Sequence, residues 1–382
     1  MSAVREYCER HVDSLIETIE TLVRLESPST DKAAVDRCGA ALAEIVRAAG
    51  ANVERIAQRE RGDHIIARVS GTGDPVMLLG HFDTVWPVGT LARMPLRHDG
   101  DRLHGPGTFD MKAGIAIALC AIEALRATET PHAPIVMMWT TDEEIGSETS
   151  RALIESEAQR CRAVFVLEPA LPGGVLKTAR KGCGEFELTV HGIAAHAGLD
   201  PGKGASAIHE LAAQIAAIER LQDLPNGISV NVGVISGGTR ANVVAEEARG
   251  VIDARAPTRE AADRIESAIR SLQPVRTGTR LTLRGGFERP PMERTPASRE
   301  LFARARAVAS SLGRELGEGS AGGGSDGNFT AALGVPTLDG LGAVGDGAHA
   351  AHEHVELSSL AWRAALLAGL LAPGDQDGHG KI

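Results

Sequence analysis

Three short apolar runs, at residues 76–79, 135–139 and 163–167, each end on acidic or imidazole side chains. His81-Phe82-Asp83 follows the first, Asp142-Glu143-Glu144 the second, and Glu168-Pro169 the third. A long apolar stretch at 113–125, of helix length, separates the first run from the second. Strand, helix, strand, strand in this rhythm predicts an α/β layer with a mixed, largely parallel sheet flanked by helices. Functional side chains in such a sheet gather beyond the carboxyl ends of the strands. The pattern therefore aims several acids and an imidazole at one rim.

The surrounding chain fits that layer. Apolar positions at Val12, Leu15, Ile16, Ile19, Leu22 and Val23 have helical spacing within a helix expected over about residues 4–25. A second helix turns Val35, Leu42, Ile45 and Val46 inward and ends at Gly50. After Pro169 the character changes to strand (Phe186, Leu188, Val190 alternating), helix (205–221), strand (228–235), strand (248–254), helix (259–272) and strand (281–283). That β-α-β-β-α-β order is the ferredoxin-like α+β module, inserted into a layer that resumes with a helix at 301–312 and a strand at 335–338. The expected domains are 1–177 and 288–382 for the two parts of the layer and 178–287 for the insertion. A chain of 382 residues has room for two or three domains at roughly 150 residues each.

Charge narrows the partners. Lys+Arg 40 against Asp+Glu 50 leaves a net charge of -10, which disfavours nucleic acid and anionic membrane surfaces. No run approaches the roughly 18 apolar residues of a membrane span, and the polar start reads straight into a helix, so no signal peptide is expected. Cys8, Cys38, Cys120, Cys161 and Cys183 are scattered and odd in number, as expected for reduced thiols in a cytoplasmic protein.

One imidazole with several carboxylates is the ligand set of a divalent metal, zinc above all. Asp110 joins it, placed between the Gly105-Pro106-Gly107 turn and the start of the 113–125 helix. So many carboxylates cannot all stay ionised together without a cation between them. Two metals sharing a bridging carboxylate would balance the charge and clamp an attacking hydroxide. Adjacent Glu143 and Glu144 can serve different partners, one a metal and one the reacting water as general base.

In this order, His81-x-Asp83, Gly107-x-x-Asp110-Met-Lys, Asp142-Glu143-Glu144-x-Gly146, Glu168-Pro169 and Gly192-x-Ala194-Ala195-His196-Ala197-Gly198 resemble the zinc aminoacylase and carboxypeptidase family of metallopeptidases. That family includes acetylornithine deacetylases, succinyl-diaminopimelate desuccinylases, aminoacylases and glutamate carboxypeptidases. Gly80-His-Phe-Asp-Thr-Val and Asp142-Glu-Glu-Ile-Gly-Ser look most like the bacterial glutamate carboxypeptidases. The resemblance implies a di-zinc exopeptidase domain with two Zn²⁺ per subunit, Co²⁺ or Mn²⁺ being substitutes, and an inserted lid that also forms a homodimer. It implies that His81, Asp110 and Glu168 hold one zinc and Asp110, Glu144 and His349 the other. Asp83 would support His81, and Glu143 would be the general base. His196 would steady the oxyanion in the partner subunit's site. Asn242 and Arg255 would grip the substrate carboxylate, with Gly324 lining the same pocket. His352 is the alternative to His349, since both stand four residues before a Glu.

The implied reaction is hydrolysis of an amide bond that releases a C-terminal amino acid, glutamate favoured, from an N-acyl amino acid or short peptide. Aminoacylase and dipeptidase activities stay open, as does a non-catalytic amino-acid-binding protein on the same fold. Lys177, Arg284 and Arg289 could each read an acidic side chain, and no spacing separates them. Gly323-Gly-Ser325-Asp-Gly327 matches a serine-hydrolase elbow by letters, but the Gly-rich residues before it are unsuited to the core strand that elbow requires. His64, His98, His132 and His209 are expected to be structural or solvated.

Overall fold

The computed structural model describes residues 1–373, which form two compact units. One comprises Met1–Thr178, Arg294–Ala321 and the chain from Ser325 onward; the other comprises Ala179–Glu293 and Gly322–Gly324. The second junction falls after Glu293 instead of residue 287. The last strand of the insertion runs over Arg280–Arg289, well beyond the expected 281–283, and Met292 still exchanges backbone hydrogen bonds with Arg180 (2.9 and 3.0 Å).

The first unit is built on a six-stranded mixed sheet in the order Asn52–Ile56, His64–Val69, Ile135–Thr140, Val76–His81, Ala163–Val166, Thr337–Leu338. The last four run parallel to one another, and His64–Val69 runs antiparallel to both of its neighbours. The apolar runs are continuous because both faces of the sheet are buried. Leu78, Met137 and Trp139 join one core layer, whereas Met77, Leu79, Val136 and Met138 join the other. The two strands at this edge, Asn52–Ile56 and His64–Val69, are absent from the sequence reading. Asn52–Ile56 is largely exposed and carries charges, so it lacks the apolar run by which its neighbours announce themselves.

The helix Ala113–Ala127 and the C-terminal helix Leu357–Leu371 are buried nearly all round, as their uniformly apolar sequences demand. The expected first helix is two helices, Ser2–Arg10 and Val12–Arg24, broken at His11, whose ring stacks on Tyr7 and whose Nδ1 meets the Tyr7 carbonyl at 2.8 Å. A small antiparallel sheet, also unforeseen, orders Gly345–Asp346, His354–Glu356, Arg102–His104 and Arg97–Asp99. It pairs His354 with His104 and so ties the stretch after His349 to the stretch before Asp110.

The second unit has the ferredoxin-like order. Its sheet runs Ser229–Gly237, Glu247–Ala256, Gly182–His191, Arg280–Arg289, antiparallel throughout, with helices Ala207–Glu219 and Arg259–Arg270 over a core of Phe186, Leu188, Val190, Ile252 and Ile265. Ser229–Gly237 is an edge strand with Val234 and Ile235 exposed.

In the first unit the backbone at Leu167-Glu168 is boxed in by two glycines. A Cβ on Gly114 would lie 2.1 Å from the Leu167 carbonyl oxygen, and one on Gly342 would lie 2.2 Å from the same atom. Gly114→Ala is therefore expected to lower stability by about 1–3 kcal/mol, the usual cost of overpacking, read as a drop in the urea midpoint at constant slope. An unchanged midpoint would mean the helix and strand can separate freely there.

Candidate metal centre

Three neighbouring parallel strands deliver the central residues. Val76–His81 ends on His81, Ile135–Thr140 leads into Asp142-Glu143-Glu144, and Ala163–Val166 leads into Glu168. Asp110 arrives separately, from the kinked stretch Thr108–Lys112 before the Ala113–Ala127 helix. His349 comes from the loop between the Gly345–Asp346 and His354–Glu356 strands, with a backbone φ of 61°.

These side chains meet. His81 Nε2 lies 3.3 Å from Glu168 Oε1 and 3.4 Å from Asp110 Oδ1. The other Asp110 oxygen, Oδ2, lies 3.4 Å from His349 Nε2, which is 3.0 Å from Glu144 Oε2. Ligand atoms of His81, Glu143 and Glu168 fall within 4.8 Å of one another, as do those of His81, Asp110 and Glu144. His352 stays out on the surface, 3.9 Å from Asp346, and His354 is buried against His104. The structure thus brings His349, not His352, to the cluster.

Behind His81, Asp83 Oδ1 sits 3.3 Å from Nδ1, and Asp83 Oδ2 accepts from Ser29 Oγ (2.7 Å) and Glu144 N (3.3 Å). Three buried atoms here, His81 Nε2, Asp110 Oδ1 and Asp83 Oδ1, make no well-formed hydrogen bond. Buried polar atoms are rarely left so, because the loss is costly. A divalent cation between His81 Nε2 and Asp110 Oδ1 would satisfy both of those atoms, with Asp83 Oδ1 left facing His81 Nδ1, so the donor set fits a metal.

The electrostatics agree. Burial works against charge on His81, but Asp110, Asp83 and Glu168 outweigh it and hold its pKa well above the ordinary value. Asp110 and Glu144 push His349 up to about 10. Burial would raise Asp110, yet His349 and His81 hold it well below the usual carboxylate range. Glu144 is raised, by burial first and by Asp110. This is a pocket that draws positive charge.

The remaining expected residues belong to the second unit. His196 pairs through the Ala195–His196 ribbon with Val243–Val244, and its Nδ1 accepts from Gly198 N and Leu199 N, both 3.1 Å. That fixes the tautomer with the proton on Nε2. Asn242 is its neighbour, the carbonyl accepting from Ala197 N at 2.9 Å. Arg255 turns its fork onto Asp253, with Nε 2.9 and 3.0 Å from the two oxygens, and Nη1 onto Cys183. The Gly324 carbonyl accepts from Arg180 Nη1 at 3.1 Å.

Several supporting residues escaped the sequence reading. Glu353 served only to locate His349, yet its buried carboxylate takes donors from Trp86 and from the Asp110 loop, while burial pushes its pKa up to about 7. Asp142 Oδ2 accepts from Thr149 N and Oγ1, both 2.7 Å, and Thr149 Oγ1 in turn touches His64 Nε2 at 3.0 Å. His64 is structural, as expected. Ser325 is no nucleophile elbow: its buried hydroxyl donates to Asp339 (2.7 Å), and the strand before it, Glu318–Ala321, is a short half-exposed ribbon.

Residues 77–372 match the pattern of Peptidase family M20/M25/M40. The chain belongs to this family. It is a hydrolase of the metallopeptidase type and works with metal ions. It is 29% identical to carboxypeptidase G2 of a Pseudomonas strain over 370 residues, covering 94% of this chain and 88% of that protein. It is 31% identical to the acetylornithine deacetylase of Myxococcus xanthus over 217 residues, covering 53% and 56% of the two. Its fold resembles the aminopeptidase PepT of Bacillus cereus (TM-score 0.79, 22% identity, 94% of this chain and 98% of that one) and human carnosine dipeptidase 1 (TM-score 0.67, 17% identity, 97% and 98%). Among the described residues no helix is long and apolar enough to cross a membrane.

Asp83→Asn is expected to weaken metal binding about 10- to 100-fold, the usual effect of losing the partner behind a ligand imidazole. Competition with a coloured chelator would measure it, and unchanged affinity would remove Asp83 from that role.

Proposed function

We propose that this chain is a two-zinc exopeptidase that releases a C-terminal amino acid, glutamate favoured, from an N-acyl amino acid or short peptide. The observation that carries this reading is Asp110, which turns one oxygen to His81 and the other to His349 at 3.4 Å each. A carboxylate so divided suits a bridge, with His81 and Glu168 holding one ion and Glu144 and His349 the other. Co²⁺ or Mn²⁺ would fit the same donors. When bound there, zinc acidifies water and polarises the scissile carbonyl.

The chain's own residues supply the rest. Glu143, on the His81–Glu168 side of the cluster, takes the proton of the attacking water and returns it to the leaving amine. His196, locked with its proton on Nε2, donates to the oxyanion in the partner subunit's site. Asn242 and Arg255 orient the substrate's free carboxylate, which shares the Arg255 fork with Asp253; Gly324 lines the same pocket. The inserted unit acts as lid and as homodimer contact, a role supported by its exposed edge strand with Val234 and Ile235. Five free thiols suit a reducing, cytoplasmic setting.

Similarity to an acetylornithine deacetylase keeps an aminoacylase reading alongside. A panel of N-acyl amino acids, dipeptides and folate-like glutamate conjugates separates the two by the product released. Release is expected to stop on chelation and return with zinc, and release that ignores chelation would overturn the metal reading. Glu143→Gln is expected to lower kcat by about 10²–10⁴ with zinc still bound; activity within about tenfold of the parent would dismiss Glu143 as the base. Light scattering is expected to give twice the 40.0 kDa chain mass, and a monomer would remove the dimer.

A further inference from the structure

The loops carrying Asp110 and His349, and the one that follows His81 and Asp83, share one buried side chain. Glu353 is fully buried, and four donors converge on its two oxygens. Oε1 accepts from Phe109 N (2.9 Å) and Asp110 N (3.1 Å); Oε2 accepts from Gly107 N (3.0 Å) and Trp86 Nε1 (2.8 Å). Three successive-loop N–H groups facing one carboxylate make an anion-holding concavity of backbone, here filled by the protein itself.

The backbone of Glu353 works on the other side. Its N–H donates to Ala350 O (2.9 Å), closing the turn that directly follows His349, and its carbonyl accepts from Gly105 N (3.3 Å). Through its side chain it grips the Asp110 loop, and through its main chain it closes the turn just after His349. Glu353 thus contacts both stretches whose side chains, Asp110 Oδ2 and His349 Nε2, lie 3.4 Å apart.

We propose that Glu353 is a positioning residue that fixes the bridging carboxylate against His349, so that the zinc held by Asp110, Glu144 and His349 depends on it. This rests on the two-zinc reading above. Glutamine in its place keeps the shape but offers one oxygen to four donors and sets an NH₂ group against N–H groups. The Asp110 loop then has to move away from the turn.

Calorimetric titration of zinc into metal-stripped parent, Glu353→Gln and Trp86→Phe proteins tests this, with bound zinc counted after dialysis. The parent is expected to take two zincs per chain. Glu353→Gln is expected to hold one of them about 10- to 100-fold more weakly while remaining cooperatively folded by thermal melting. Trp86→Phe, which removes one donor and leaves the backbone donors intact, is expected to show a smaller loss in the same direction, and it decides the matter if Glu353→Gln fails to fold. A folded variant with a lower melting temperature and both parental zinc affinities would reduce Glu353 to a structural residue and overturn the proposal. A parent that takes fewer than two zincs would instead overturn the two-zinc reading, independently of either variant.

Discussion

The larger unit is arranged around a concentration of negative charge that is largely withdrawn from water. Asp83, Asp110, Glu144 and Glu168 crowd around two imidazoles, and their mutual repulsion holds together only with positive charge among them. The shifts of His81 and His349 towards the charged form express the same demand. Asp110 is the pivot, because it turns one oxygen to each imidazole at 3.4 Å.

A cluster of that kind needs a stiff frame, and the sheet supplies it. His81 and the Glu143-Glu144 turn sit at the ends of adjacent strands in register, His81 opposite Thr140. Glu168 follows a third strand whose exit is clamped between Gly114 and Gly342 at less than van der Waals distance for any Cβ. The C-terminal helix joins this frame through fully buried Arg363, whose Nε donates to the Gly342 carbonyl at 2.8 Å. Side chains positioned by strands and buried backbone hold their geometry better than side chains on free loops.

The inserted unit follows a different logic. It has its own core of Phe186, Leu188, Val190 and Ile252 and owes nothing of that core to the layer it interrupts. Its functional candidates lie on loops and strand ends, with His196 fixed by two backbone N–H groups and Arg255 by Asp253. Rigid scaffold below and polar groups at the ends of elements is the common division of labour in such modules.

The residues themselves determined the layer and the rim on which the acids and imidazole gather. Strands buried on both faces write themselves as unbroken apolar runs, and the acids and imidazole that follow them fall at the carboxyl rim by topology alone. Hence His81, Glu143, Glu144 and Glu168 were legible, as was the β-α-β-β-α-β order of the insertion. The exposed strand Asn52–Ile56, the break at His11 and the junction after Glu293 were not, because each depends on which surface another segment covers. Only the tertiary structure chose His349 over His352, since both share the same local spacing and the choice follows from how the small sheet pairs His354 with His104. It alone gave Glu353 its partners, because a carboxylate finds its four donors among residues more than two hundred positions away. Local pattern carries what burial and periodicity dictate, whereas long-range hydrogen bonds leave no periodic trace in the chain.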